Sequence, residues 1–167
     1  MSCYYNMTMT NFEEYLTNKC GHNTIARNLD GSSSTGFMSK ILMRDRRFFM
    51  KVYVDEKTEC AIVEVYPGIN VAAPYRAMTS QLCMKKNAER KAGILVVDPV
   101  HGDIYSHVES FFKEGPLTGE TLEEMVDTAM SALVLCQNEL ECISHGMPCP
   151  QMDEETDLDA LLSSLLM

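Results

Sequence analysis

The spacing of apolar residues changes along the chain from the helical period to the period of two that is typical of strands. Residues 11–20 begin with Asn11, a good N-cap, carry acids in the first turn and end before a glycine, which predicts a short helix. Apolar and polar residues then alternate in three segments separated by short turns: 37–43, 48–55 and 60–66. This pattern predicts a three-strand antiparallel meander with one buried face.

The same change of period occurs again in the second half of the chain. Residues 73–92 return to helical spacing, and the apolar segments 94–97 and 104–112 flank a polar turn, which predicts a hairpin. Thr118 is a suitable N-cap for the clearest helix, whose apolar stripe continues to Leu140. The order is helix, three-strand meander, helix, hairpin and long helix. We therefore predict an α+β fold whose antiparallel sheet has about five strands.

The composition limits the class of protein. The chain has 167 residues, of which 46% are hydrophobic and 23% charged, so one globular domain is expected and a wholly disordered chain is excluded. Twenty-four acidic and 14 basic residues give a net charge of −10, which disfavours nucleic acid as a partner. No apolar run is long enough to span a membrane. Seven scattered cysteines and an N-terminus without signal-peptide features indicate a cytoplasmic protein.

A change of composition near residue 147 predicts the domain organisation. Residues 147–150 read Met-Pro-Cys-Pro, which breaks regular structure, so we predict an α+β domain over residues 1–146 and a tail over 147–167. Residues 151–167 contain five acids and no base, half of the net charge of the chain. They also contain leucines spaced along one helix face, of which four are the predicted docking residues: Leu158, Leu161, Leu162 and Leu165.

The destination of this tail stays open in the sequence. A short amphipathic helix is marginal alone in water, so its leucine face needs a groove in the same domain, on a dimer mate or on another protein. The tail could also be disordered in isolation. A basic patch around Lys85 and Lys86, with arginines at 44, 46 and 47, is a further docking surface for an acidic partner or for the tail itself.

Candidate chemistry is sparse. The cysteines at 136, 142 and 149 with His145 lack the tight ligand pairs of zinc sites, so we predict no metal and no cofactor. Cys83 lies near basic residues that could lower the pKa of its thiol, and His107 lies two residues from Glu109 on one strand face. A buried structural cysteine and a surface histidine are the simpler interpretations of these two features. A thiol-dependent or small-ligand-binding enzyme is the alternative that they leave open.

Several local sequences resemble one known family over about residues 48–140. They are the meander FFMKVYVDEKTECAIVEVY, the helix that ends on Asn87 before the strand GILVVD, the Gly-Asp turn at 102–103, the strand IYSHVESFF and the helix opening GPLTGETL. This pattern is similar to that of the YbjN-type family, described as bacterial sensory transduction regulators. The resemblance implies an α+β fold like that of type III secretion chaperones, which often dimerise.

These observations together predict a non-catalytic protein of a chaperone-like or regulatory kind. The resemblance implies that it binds another protein or itself, as a homodimer. No residue set in the sequence forms an acid–base or nucleophile constellation. An enzyme is therefore not expected, and no catalytic residue is predicted.

Overall fold

A computed structural model describes residues 3–20, 24–27, 34–43, 46–90 and 93–147. The helices are α1 (Cys3–Cys20), α2 (Arg76–Ala88), α3 (Gly119–Val134) and α4 (Gln137–Ser144), and a 3-10 turn at Ala73–Tyr75 precedes α2. The strands are β1 (Thr24–Arg27), β2 (Ser34–Met43), β3 (Arg46–Asp55), β4 (Cys60–Tyr66), β5 (Ile94–Val97) and β6 (Ile104–Phe111). They form one antiparallel sheet in the order β1-β2-β3-β4-β6-β5.

The predicted alternation of the meander is confirmed by the burial of its side chains. Val52 of β3 lies opposite Val63 of β4, and both are fully buried. The neighbours two residues away on these strands, such as Met50 and Val65, are buried on the same side. We call this side the inner face of the sheet. Because side chains alternate along a strand, the residues between them point to the opposite side, which we call the outer face.

The helices pack on the inner face. Phe12 and Leu16 of α1, together with Leu122 and Leu133 of α3, belong to the same apolar core as the inner-face valines. The helix α3 begins as predicted, because the Thr118 side chain accepts a hydrogen bond from the Thr121 N–H. The result is a two-layer α+β arrangement in which one face of the sheet is covered by helices.

The first helix is longer than the pattern predicts, since it begins at Cys3 rather than at Asn11. Asn11 lies inside the helix, where its side-chain amide donates to the Leu117 carbonyl at 2.8 Å, so its prediction as an N-cap is wrong. Tyr5 and Thr8 add a buried stripe to the helix, and the Thr8 hydroxyl accepts a hydrogen bond from the Leu117 N–H. These contacts join α1 to the residue Leu117, which lies just before α3. They stabilise the first half of α1, whose sequence carries no strong helix signal.

Three other elements differ from the sequence pattern. The structure adds a short edge strand, β1, and β2 begins at Ser34, three residues before the start predicted at residue 37. The predicted long helix is broken at Cys136, whose φ of −128° is not helical and whose thiol donates to the Ala132 carbonyl. The break turns α4 toward α2, where Lys86 and Glu139 form an ion pair at 2.8 Å.

Residues 148–167 lie outside the described part of the chain. The predicted docking residues Leu158, Leu161, Leu162 and Leu165, and the domain boundary after residue 146, therefore stay predictions. Within the ranges that the structure describes, no helix is long and apolar enough to cross a membrane.

The exposed edge of β5 is closed by a side chain of the preceding helix. Asn87, near the end of α2, donates from Nδ2 to the Leu95 carbonyl at 2.9 Å and accepts from the Leu95 N–H at 2.8 Å. Its amide thus pairs with both backbone groups of Leu95, as a residue of a further strand would. Because unpaired strand edges invite pairing with other chains, Asn87 protects this edge of the sheet.

We expect Asn87→Ala to lower the free energy of unfolding by about 1–3 kcal/mol, since it leaves two part-buried backbone groups without their partner. Denaturant unfolding of the full chain measures this loss. The matched control is Gln81→Ala, an exposed position on the same helix, for which a change within about 0.5 kcal/mol is expected. Equal effects of the two substitutions would contradict a role for Asn87 at the strand edge.

Candidate functional site

The outer face of the sheet is the candidate functional site. The described helices contribute their buried residues to the core on the inner face, whereas the outward side chains of β2 to β6, apart from the buried Cys60, are half-buried or exposed. Several of these are large apolar or aromatic residues: Leu42, Phe49, Tyr53, Ile62 and Phe111. Large apolar side chains left accessible on one face are typical of a surface that binds another protein.

A polar cluster occupies the centre of the outer face, on β4 and β6. The register places Glu64 directly opposite His107. The His107 Nε2 lies 2.8 Å from the Glu109 Oε1, and its Nδ1 lies 3.6 Å from the Glu64 Oε1. The predicted neighbourhood of His107 and Glu109 is therefore confirmed as a contact, and the sheet adds a second carboxylate to it. We call these three residues the imidazole–carboxylate cluster.

Two tyrosines and a lysine extend the cluster. The Tyr66 hydroxyl donates to the Glu64 Oε2 at 2.7 Å, and the ring of Tyr66 stacks on that of Tyr105 with centroids 5.1 Å apart. The Lys51 Nζ lies 4.6 Å from the centroid of the Tyr66 ring, on the side toward β3. Cation–π and stacking contacts of this kind hold aromatic rings in fixed positions on an open face.

The cluster shifts the pKa of His107 and that of Glu64. The contact with the Glu64 carboxylate, which accepts from the imidazole, raises the pKa of His107, and Glu109 adds to the effect while burial opposes it. Glu64 acts more strongly than the closer Glu109 because its side chain is 16% exposed, against 48% for Glu109, so solvent screens it less. The pKa of Glu64 is lowered by its hydrogen bonds from His107 and Tyr66, against its own desolvation, and burial raises that of Tyr66.

This arrangement favours a binding surface over an enclosed reaction centre. The raised pKa of His107 favours its protonated form, which lies between two carboxylates on an open face. A cleft of about 530 Å³ lies elsewhere, between α1 and the start of α3, and is lined by residues such as Tyr15, Thr118 and Glu123. The cleft and the imidazole–carboxylate cluster share no residue, so this cleft does not include the histidine.

Cys83, the nucleophile of the alternative hypothesis, is buried in the described fold with 2% exposure. Burial, with a smaller effect of Cys136, raises the pKa of its thiol to about 11. A thiol with this pKa is protonated at neutral pH, whereas a nucleophilic cysteine needs a lowered pKa. The basic residues next to Cys83 in sequence thus do not activate it, and the geometry does not support a thiol-dependent enzyme.

The cysteines considered above as zinc ligands lie in different surroundings. Cys136 is buried at the break between α3 and α4, Cys142 is only half-buried, and Cys149 lies outside the described residues. Within the described ranges, no three His, Cys, Asp or Glu side chains are arranged so that they could hold a metal ion. Two cations of the predicted basic patch form ion pairs with acids of α4. Lys86 pairs with Glu139, and Arg46 pairs with Glu141.

Sequence reasoning missed Glu64 and Tyr66 as members of the site. Both lie on the polar side of the alternation predicted for residues 60–66. The contact of Glu64 with His107 and the stacking of Tyr66 on Tyr105 depend on the pairing of β4 with β6, which are neighbours in the sheet although β5 lies between them in sequence. The polar alternation of Glu64 with Tyr66, and of His107 with Glu109, is the only signal in the sequence that could have suggested a cross-strand cluster.

Comparison with known proteins identifies the fold. A chain from the crystal structure of the ExsC–ExsE complex matches with a TM-score of 0.56 and 15% sequence identity, over 85% of this chain and 98% of that chain. A chain from the structure of the HopA1–SchA chaperone–effector complex matches with a TM-score of 0.47 and 10% identity, over 78% of this chain and 93% of that chain. The predicted α+β, type III secretion chaperone-like fold is confirmed.

No family model matches the chain, and no curated protein matches it in sequence. The resemblance to the YbjN-type family therefore stays a prediction.

We expect Glu64→Gln to lower the pKa of His107 toward its ordinary value near 6.5, because it removes the carboxylate with the largest effect. An NMR titration of the imidazole measures this shift. The control is Glu120→Gln on α3, which should leave the His107 pKa unchanged. An unchanged pKa in Glu64→Gln would show that the cluster does not form.

The same cluster makes stability depend on pH. A raised histidine pKa stabilises the fold below about pH 6.5 and loses this contribution as the pH rises through the folded value, whereas the lowered Glu64 pKa contributes above about pH 4.3. The difference in stability between the parent and His107→Gln should therefore be largest between these two values.

Proposed function

We propose that this chain is a non-catalytic, chaperone-like protein that binds a partner protein on the outer face of its sheet and forms a homodimer. The observation that carries the proposal is the outer face, which no described helix covers and which joins exposed apolar residues to an ordered polar cluster. A two-layer fold buries one face of its sheet, so an apolar second face is costly in water unless a partner covers it.

The likeness in fold supports a protein-binding role. The matching chains come from complexes of two proteins, ExsC with ExsE and HopA1 with SchA. The likeness to the ExsC–ExsE complex is one of fold, and the outer face adds the chemistry of this chain to it. Large apolar side chains supply the affinity of a protein interface, while fixed tyrosines and charges supply its specificity.

A photo-crosslinking residue placed at Phe111 tests this proposal in cells of the source organism. Phe111 is exposed at the end of β6 on the outer face. We expect one partner protein to be crosslinked there and also at Leu42, which is exposed on β2. The same residue at Tyr4, which is exposed on α1, is the control and should not crosslink that protein.

Phe111→Glu provides the matching loss of function. We expect it to abolish copurification of the crosslinked partner, because it places a charge where an apolar contact forms. Its free energy of unfolding should stay within about 0.5 kcal/mol of the parent, as is usual for exposed positions. A partner that crosslinks equally at Tyr4, or copurifies with Phe111→Glu, would contradict the assignment of the outer face.

The homodimer is proposed along α2 and the β5 edge of the sheet. Met78 and Met84 on α2 and Ile94 at the start of β5 are large apolar residues that the described fold leaves exposed. Methionine side chains adapt to an opposing surface, and α2 packs closely on β5. Ile94 lies opposite His107, at the β5 edge of the outer face. A dimer formed through α2 and this edge leaves most of the outer face free for a partner.

Light scattering of the full chain over a dilution series tests the dimer. We expect twice the chain mass of 18.8 kDa for the parent and the chain mass for Met84→Glu, whose side chain is 70% exposed in the described fold. Met7→Glu on α1 is the control and should remain dimeric. A parent that has the mass of a single chain at every concentration would exclude the homodimer.

A further inference from the structure

We propose that the acidic, leucine-rich tail of this chain, residues 151–167, docks in cis on a basic and apolar strip at one end of the outer face. The inference concerns a contact within one chain and stands independently of the proposed partner. Its consequence for partner binding rests on the proposed function, because a docked tail would cover part of the surface assigned to the partner.

The strip lies on β2 and β3, near the turn that joins them. The register pairs Leu42 with Arg47 and Lys40 with Phe49, and all four side chains point outward together with Lys51. We call these five residues the basic strip. It contains three cations and no acid, whereas the adjoining part of the outer face, on β4 and β6, holds the carboxylates of Glu64 and Glu109. The positive charge of the outer face is therefore concentrated at this end.

The strip contains the most exposed large apolar side chain among the described residues. Leu42 is 72% exposed, and Phe49 beside it is half-buried. A leucine with this exposure, flanked by Lys40 and Arg47, offers an apolar contact surrounded by positive charge. A complementary ligand needs apolar residues on one face and acids beside them.

The tail has this chemistry. Its predicted helix places Leu158, Leu161, Leu162 and Leu165 on one face, and the acids at 153, 154, 155, 157 and 159 lie at or before its start. A chain with a net charge of −10 offers few places where such a segment is not repelled. The basic strip combines the apolar and the electrostatic requirement at one place.

The described chain ends where the tail can reach the strip. Arg46, next to the strip in sequence, forms an ion pair with Glu141 of α4 at 3.4 Å. Gly146 at the end of α4 lies against Tyr75. The neighbouring Arg76 donates to carbonyls of the hairpin between β5 and β6, which lies at the end of the sheet where β3 begins. Ten residues lie between Met147 and Leu158, and the eleven steps from one to the other span about 36 Å when extended. The tail can therefore pass around the end of the sheet to its outer face.

Tethering favours this occupant over a second copy. A segment joined to its site by a short linker has an effective concentration in the millimolar range, about a thousandfold above a micromolar solution of free chains. Docking in cis is thus expected to be independent of protein concentration. A partner that binds the outer face must then displace the tail, so the tail sets a threshold for partner binding.

A single tryptophan at Leu162 tests the inference in the full chain, which contains no tryptophan of its own. We expect the indole of Leu162→Trp to emit at short wavelength and to be protected from acrylamide quenching. In this background, Leu42→Ser and, separately, Lys40→Glu should raise the quenching constant severalfold, because each removes one component of the strip. The effect of Lys40→Glu should diminish at high salt, which screens exposed charges.

Two matched variants control for indirect effects. Val100→Ser changes a residue that is 71% exposed, close to the 72% of Leu42, but lies in the hairpin between β5 and β6. Lys57→Glu reverses a charge at the far end of β3. Both should leave the quenching constant unchanged. Lys40→Glu replaces one exposed polar side chain by another, so it tests the inference even if Leu42→Ser were to weaken folding.

Three outcomes would overturn the proposal. An indole that is equally accessible in the parent and in the strip variants would show that the tail does not dock there. Protection that is lost on dilution would assign the tail to a second copy. Protection that is unaffected by the strip variants but lost in Val100→Ser would place the tail on the α2 and β5 side. Because no partner is added, none of these results depends on the proposed function.

Discussion

The apolar contact between the inner face of the sheet and helices α1 and α3 is the constraint on which the other features depend. Phe12, Leu16, Leu122 and Leu133 are fully buried against strands that contribute small β-branched residues such as Val52 and Val63. Each of these large side chains stabilises the fold by about 1.5–3 kcal/mol when buried. Because α1 and α3 lie on the same side of the sheet, they bury the inner face of strands β2 to β6. The outer face must therefore be stabilised by other contacts.

The outer face meets this requirement with ordered polar contacts. The Tyr66 hydroxyl donates to the Glu64 carboxylate, which forms an ion pair with the His107 imidazole, so these groups form a chain of polar contacts across β4 and β6. Such a chain keeps tyrosine rings and charges in place on a face that no described helix covers. The basic strip is different, since it contains Leu42, an exposed apolar residue that no described side chain covers in this way. The polar groups on β4 and β6 therefore already have partners, whereas the basic strip has an apolar side chain that a ligand would cover.

The sequence predicts this fold as far as local periodicity determines it. The alternation in β3, β4 and β6 identifies the inner and outer faces residue by residue, and Thr118 marks the start of α3. The extension of α1 to Cys3 and the break at Cys136 escape prediction because tertiary contacts determine them: Thr8 bonds to Leu117, and α4 turns to pair Glu139 with Lys86. The cluster of His107 with Glu64 escapes for a related reason, since strand order is a property of the whole sheet. Local pattern gave the pair His107 and Glu109 because both lie on one strand.

The closure of the β5 edge limits the ways in which a partner can bind on that side of the sheet. A protein can be recognised by adding a strand to an open sheet edge or by covering a face. At β5 the first route is blocked, because the Asn87 amide already occupies the N–H and the carbonyl of Leu95. Strand addition on this side would require Asn87 to leave, at a cost comparable to that of the two hydrogen bonds it makes. A ligand that covers the outer face with side chains meets no such cost. We therefore expect an amphipathic segment, whether from this chain or from a partner, to bind by covering the outer face and not by adding a strand at β5.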